Sequence, residues 1–315
     1  MNKQAYKQFC DQTPHLPIFF KEWWLNAIYN DNWQCLTHNE GEQITAILPY
    51  QLKHTLCYKT IMPAPLTPYT GIYLNLPPEL NNNKKYSLQN KALQDIAQQL
   101  DNLKISFYTQ KYHPTITNWL GLLWNNFQCT THYTYQFHNL QDLDHTFNQI
   151  DKEYRRRIKK HQDQLSLTQD ITTQDFYQIN NLTYKKQNIN CPFTLDYFQR
   201  LDSAATLHNA SRKLALLDPQ GTPIAITYLI IDQNTCYQIF SGSNPAYSHL
   251  NPPTILLWKA LQYAHSQGCT TYDFTGSIKP NIETFIRHFG ATQTPYFYIQ
   301  KHYSKTYKLL RTLKR

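Results

Sequence analysis

Three apolar runs, residues 214–217, 222–231 and 236–240, stand close together with short polar breaks between them. Runs of this length bounded by turn residues predict strands. Asp218-Pro219-Gln220-Gly221 is suited to reverse the chain between the first two, since proline pre-sets one turn angle and glycine accepts a positive one. Residues 254–264 follow, with Pro252-Pro253 before them and Gly268 beyond, the asymmetry expected of a helix. Ile255, Leu256, Leu257, Trp258, Ala260, Leu261 and Ala264 leave this helix almost no polar face, which predicts burial against a sheet. Residues 271–274 read as a short strand running into Thr275-Gly276-Ser277. Strand, turn, strand, strand, helix, strand is the centre of an α/β or α+β domain.

Around this centre the pattern predicts a helix over 18–30, a hairpin over 33–52, a strand over 55–62, surface loop over 77–86, a helix over 87–101 and strands over 105–110 and 127–137. Residues 62–71 hold three prolines and cannot be regular structure. Leu143, Phe147, Ile150, Tyr154 and Ile158 form one stripe, predicting a single helix over 143–162. Lys152, Arg156 and Lys159 fall opposite that stripe and Arg157 flanks it. Helices are expected over 172–188 and 194–209. A short amphipathic helix is expected at Ile282, Phe285, Ile286 and Phe289, and a strand over 293–300. Residues 301–315 carry six Lys and Arg and no acid, with Tyr303, Tyr307 and Leu310 on one side, a pattern suited to an acidic surface. The break in pattern divides the chain into 1–140 and 141–315.

The net charge of +9 is uneven. Residues 1–140 hold ten Lys and eight acids, whereas 141–315 hold twenty Lys and Arg and thirteen acids, so +2 stands against +7. A basic second half points to an anionic partner: phosphate, nucleic acid or an anionic membrane surface. Seven cysteines without a Cys-x-x-Cys pair indicate a reducing compartment and no zinc or other metal site. The polar N-terminal residues and the lack of a long apolar run place the protein in the cytoplasm, with the inner membrane face as a further location. No Gly-x-Ser-x-Gly elbow, phosphate-binding Gly-x-x-x-x-Gly-Lys loop or Gly-x-Gly-x-x-Gly turn is found, which argues against a serine hydrolase, a nucleotide hydrolase and a dinucleotide site.

Several local strings taken together resemble the FemAB-like, or BioF2-like, branch of the GNAT (Gcn5-related N-acyltransferase) superfamily. They are residues 62–71, 113–119, 155–160, 240–245, 273–277 and the pair Phe289-Gly290. The resemblance implies tandem GNAT-like α/β units with mixed sheets covered by helices, and transfer of an acyl or aminoacyl group to a primary amine. The donor would be acyl-CoA or aminoacyl-tRNA, with no tightly bound cofactor. Ordinary members bind pyrophosphate on a glycine-rich turn at a helix start. Here that turn is Ser248-His249-Leu250-Asn251-Pro252-Pro253-Thr254, without glycine and with two N–H donors missing, so tight CoA binding is not expected. Thr275 stands where relatives carry an acid, leaving Asp273 as the nearest carboxylate.

On this reading Asp273 handles the proton or orients the amine, facing a cleft near Gly242. Backbone groups around Ser241 and Ser243 serve the oxyanion, and Gly276 keeps the opening clear. Tyr69 and His113 line the acceptor side, and Arg155 and Lys159 hold phosphate. The alternative is a non-catalytic chain of the same fold that binds nucleic acid or anionic lipid through its basic helix and tail.

Overall fold

The computed structural model describes residues 1–186, 188–276 and 279–313. Two compact units are present: Met1–His132 with the residues from Pro295 on, and Tyr133–Thr294. The expected division after residue 140 keeps everything downstream in the second unit. The structure returns the last segment to the first unit, because its strand pairs there.

The first unit begins with α1 (Lys3–Gln12), capped by the Asn2 side chain, and α2 (Glu22–Tyr29). A hairpin of β1 (Gln34–Glu40) and β2 (Gln43–Tyr50) follows. The strand expected over 55–62 is instead a second hairpin, β3 (Lys53–Thr55) and β4 (Tyr58–Ile61). Its turn is Leu56-Cys57, with Leu56 in the left-handed region at φ 55°, where leucine gives no sequence signal of a turn. No strand or helix lies between Ile61 and β5 (Tyr73–Leu74), which pairs with β2, in keeping with the prolines there. Helix α3 (Asn82–Asn102) starts inside the expected loop, because Asn81 caps it by accepting from the Lys84 N–H at 2.9 Å. Ala92, Leu93, Ile96, Ala97 and Leu100 form its buried face. β6 (Phe107–Lys111) lies parallel to β4, and α4 (Leu120–Leu123) packs on α3.

The second unit takes up the chain within β7 (Gln128–Phe137). The single helix expected over 143–162 is two, α5 (Leu143–Gln149) and α6 (Lys152–His161). Ile150 between them is extended, the Asp151 side chain caps α6, and the Asp151 N–H goes to the His288 carbonyl at 2.8 Å. The apolar stripe still packs on one core despite the break. Next come β8 (Ser166–Thr168), α7 (Thr173–Lys186), α8 (Leu195–Leu207), β9 (Ser211–Leu217), β10 (Pro223–Asp232), β11 (Thr235–Ser243), α9 (Pro252–Ser266), β12 (Thr271–Asp273) and α10 (Pro280–Arg287). The strand order is β7-β12-β11-β10-β9-β8, and among these pairs only β11 and β12 are parallel. A parallel pair needs a crossover connection, and α9 supplies it. Adjacent β10 residues point to opposite faces. Tyr228 joins Phe176, Phe198 and Phe240 under α7 and α8, whereas Leu229 joins the core that contains α9. The predicted centre is therefore an α/β sheet covered by helices, with α9 buried as its sequence requires.

The chain returns to the first unit through β13 (Thr292–His302), which pairs with β6 from Tyr298↔Lys111 to His302↔Phe107, and ends in α11 (Lys305–Leu313). No helix among the described residues is long and apolar enough to cross a membrane.

Candidate active site in the second unit

Strands β11 and β12 part company at one point. They pair only through Thr235↔Thr271, Cys236↔Tyr272 and Tyr237↔Asp273, while β11 runs on to Ser243 against β10 alone. Just past the fork, Tyr228 faces Phe240 and Leu229 faces Gln238, which makes Ile239 the extra residue of a β-bulge. A bulge bends its strand and re-aims the residues beyond it. The Ser243 N–H donates to Thr183 Oγ1 on α7 at 3.0 Å, and the Asn244 N–H donates to the Ile224 carbonyl at the start of β10. By strand alternation the Ser241 N–H then points, like that of Ser243, to the edge of β11 that no strand pairs.

A cavity of 290 Å³ lies along β11 beyond the fork. Its floor is β11, from Gln238 to Ser243, with Thr227 beside it. Pro253, Leu256 and Leu257 of α9 and Ile282 and Phe285 of α10 make an apolar wall, and Asn281 and Thr183 add polar groups. Gly242 has no positive φ. A Cβ there would stand 3.0 Å from both the Asn180 Cα and Thr183 Oγ1, a tight contact that a larger residue could enter only if α7 gave way by a few tenths of an ångström.

A groove of 270 Å³ shares Ser243, Pro253 and Phe285 with this cavity and extends over the start of α9. Arg157 of α6, lying 5.2 Å over the Tyr154 ring, and Lys186, the last residue of α7, reach it, and its lining contains no carboxylate. The helix start offers little main-chain donation. Pro252 and Pro253 lack N–H groups, and those of Thr254 and Ile255 bond to the Asn251 carbonyl at 3.1 and 3.4 Å. An anion here would be gripped by side-chain cations.

The residues expected from sequence divide accordingly. Ser241, Gly242 and Ser243 line the cavity. Asp273 does not: it is 0% exposed and absent from the cavity lining. Its carboxylate accepts from Thr134 Oγ1 at 2.6 Å, Gln136 Nε2 at 2.8 Å and the Thr275 N–H at 2.7 Å. The last bond closes a turn in which Thr275 and Gly276 have φ of 58° and 85°; the Ser277 of the expected turn lies outside the described residues. Thr275 Oγ1 in turn donates to the Gln238 carbonyl at 2.7 Å, and Tyr272 donates to Gln238 Oε1 at 2.5 Å. Among the described residues, Thr275 links Asp273 to Gln238, which lines the cavity. Burial, with the Asp273 charge, pushes the neighbouring Tyr237 hydroxyl far above its ordinary range.

Arg155 and Lys159 do not reach the groove. Arg155 donates to Asn148 Oδ1 at 3.3 Å, and Lys159 sits 5.7 Å over Phe147. Tyr69 and His113 belong to the first unit, in edge contact with ring centroids 5.1 Å apart. Tyr69 is fully buried, and burial lowers the His113 pKa from 6.5 to about 4. Gln238, Thr183 and Asn281, which also line the cavity, carry no sequence motif, and nothing in the pattern around Lys186 or the flanking Arg157 marks them apart from the neighbouring cations.

Residues 148–285 match the family model of the acetyltransferase (GNAT) domain, a span that holds Arg157, Lys186, the fork and α9. No curated protein matches the chain. Among solved structures the chain is similar to FemX, at 11% identity and TM-score 0.68, covering 100% of this chain and 99% of that one. It is also similar to the C-terminal domain of a putative lysylphosphatidylglycerol synthetase from Agrobacterium fabrum, at 8% identity and TM-score 0.59, covering 99% and 95%. A third is a tandem GNAT protein from the clavulanic acid biosynthesis pathway, at 7% identity and TM-score 0.52, covering 89% and 87%. At these identities the structures speak for the fold, that of tandem GNAT-like units, and the family match indicates an acyltransferase domain.

Proposed function

We propose that the chain is an N-acyltransferase whose donor lies with its phosphates in the groove and its acyl group in the cavity along β11. The observation that carries this reading is the continuity of an apolar cavity, floored by a strand edge that no other strand pairs, with a groove holding Arg157 and Lys186. The amine nitrogen attacks the donor's carbonyl carbon. The carbonyl oxygen becomes an oxyanion, the bond to the leaving oxygen or sulfur breaks, and the surplus amine proton passes to water or to the leaving group. The Ser241 N–H on that edge is placed to donate to the oxyanion, which is the protein's main electrostatic contribution to such a step. Ser243 shapes the junction of cavity and groove. Asp273 acts on this site as a positioning residue, holding the Thr275 turn against Gln238.

The donor is aminoacyl-tRNA in preference to acyl-CoA. A helix start without free N–H groups makes a poor cradle for a compact pyrophosphate, whereas Arg157 and Lys186 suit a nucleic-acid phosphate. The acceptor is a primary amine. Incubation with aminoacylated tRNA and, separately, acetyl-CoA, each with a panel of primary amines, is read by mass spectrometry of the products. Amide formed from the charged tRNA is the expected result. Amide formed only from acetyl-CoA would overturn the donor assignment, and no amide from either would overturn the acyltransferase reading.

A further inference from the structure

Helix α11 of the first unit has two unlike sides. Tyr307 packs on Tyr58 and Phe107, with centroids 4.9 and 5.8 Å away, and Arg311, one turn on, stacks 4.0 Å over Phe107. This side anchors the helix. Leu309 lies about 200° round from Tyr307 by the ~100° step per residue, in a stripe with Lys305 and Leu313. Leu309 and Leu313 are 62% and 75% exposed. The β3–β4 hairpin bonds to the same helix through Tyr58, whose hydroxyl donates to Thr306 at 3.2 Å. At its tip stands Leu56, 93% exposed and held at a positive φ that leucine disfavours. Nothing in the packing of this unit explains leucines so placed. Cations surround them: Lys53 and Lys59 in the hairpin, Lys305 and Lys308 in the helix. Residues 53–59 and 301–313 contain no acid.

A second feature adjoins the helix. A pocket of 190 Å³ is lined by Lys301, His302, Lys305 and Lys308 with Asn126, Gln128 and Ser304. Lys301 pairs with Asp101 at 2.7 Å, whereas Lys305 and Lys308 have no ion pair among the described residues. The pocket is polar and basic, and the exposed leucines begin one residue beyond Lys308.

We propose that this face docks on an anionic lipid bilayer, with a phosphate headgroup in the Lys305–Lys308 pocket and Leu309, Leu313 and Leu56 dipping into the acyl boundary. Charge complementarity selects an anionic surface, and the exposed leucines select a bilayer over a nucleic acid, which has no apolar layer to receive them. The assignment is independent of the acyl-transfer site, which lies in the other unit.

The test is flotation of the full chain with vesicles of phosphatidylglycerol and phosphatidylcholine, and with phosphatidylcholine alone. Binding to the anionic vesicles only, weakened by salt, is expected. Lys305→Gln/Lys308→Gln should lower the partition coefficient on the order of tenfold or more, at about fivefold per cation. Leu309→Ser/Leu313→Ser should lower it similarly while leaving the melting temperature unchanged, as expected of exposed side chains. Should that variant unfold, Leu56→Ser in the separate hairpin carries the same expectation. Equal binding to neutral vesicles, no binding, or vesicle binding untouched by the leucine substitutions would overturn the proposal. Displacement of the vesicles by tRNA in proportion to its charge, with the leucine variants binding vesicles normally, would make the face a nucleic-acid surface instead.

Discussion

Two charged regions of the second unit differ in what their charges touch. At the junction of β11 and β12, Asp273 is fully buried and bonded to Thr134, Gln136 and the Thr275 N–H. At the start of α9, Arg157 and Lys186 line an open groove without a carboxylate. A buried carboxylate held by three donors is tolerated because its hydrogen-bonding capacity is met, and the bonds fix the strand end and turn. Cations facing a groove retain capacity for a ligand. The comparison teaches that the most conspicuous acid in a sequence motif can belong to the frame around a cavity, while the cations that line the adjoining groove come from helices distant in the chain.

The sharpest way to break this comparison is Asp273→Ala. It strands buried donors at the fork and should cost about 3 kcal/mol, given ~1–3 kcal/mol for each unsatisfied buried group. Urea denaturation measures the loss. Residual activity should follow the folded fraction; a fully folded variant without activity would make Asp273 a participant in the chemistry. Gly242→Val comes next. Its side chain must displace α7, at a cost of about 2 kcal/mol by the usual penalty for overpacking, with loss of transfer activity as β11 shifts. A normal melting temperature would show that α7 yields freely.

The first unit offers a pH test. His113 binds a proton near pH 6.5 when unfolded and at about 4 when folded. Between those values the unfolded state holds more protons, so stability should fall as pH drops from about 6.5 towards 4. His113→Asn should flatten that part of the stability–pH curve, and an unchanged slope would assign the dependence to other groups. The smallest effect belongs to Arg155→Ala/Lys159→Ala. Neither residue reaches the groove, so donor affinity should hold and stability should move by no more than about 0.5 kcal/mol.

Much of the frame was legible in the sequence because it rests on period. The apolar runs of β9, β10 and β11 and the all-round apolar α9 can only be satisfied inside a covered sheet. What escaped were local capping and geometry. Asp151 ends the run of α5 into α6 by capping the second helix, although the apolar stripe continues through it. Asn81 starts α3 inside a stretch whose composition reads as loop. Of the site, Ser241-Gly242-Ser243 was visible as a turn-like string at a strand end. Gln238 was not, because its role comes from hydrogen bonds to Tyr272 and Thr275, more than thirty residues away. Within the basic run of α6, Arg157 lines the groove and Arg155 and Lys159 do not, a difference set by the packing of the helix and not by residue type.

The proposed function stands on Arg157 and Lys186 holding the donor's phosphates in the groove beside the cavity. The direct measurement is equilibrium binding of aminoacylated tRNA to the wild-type chain, to Arg157→Glu/Lys186→Glu and to Arg155→Ala/Lys159→Ala at one fixed salt concentration. The first variant should bind on the order of 100-fold more weakly, with charge-assisted hydrogen bonds worth about 1.5–3 kcal/mol each, while the second should match the wild type. Equal affinity in the wild type and the Arg157→Glu/Lys186→Glu variant, or a loss confined to the Arg155→Ala/Lys159→Ala variant, would contradict it.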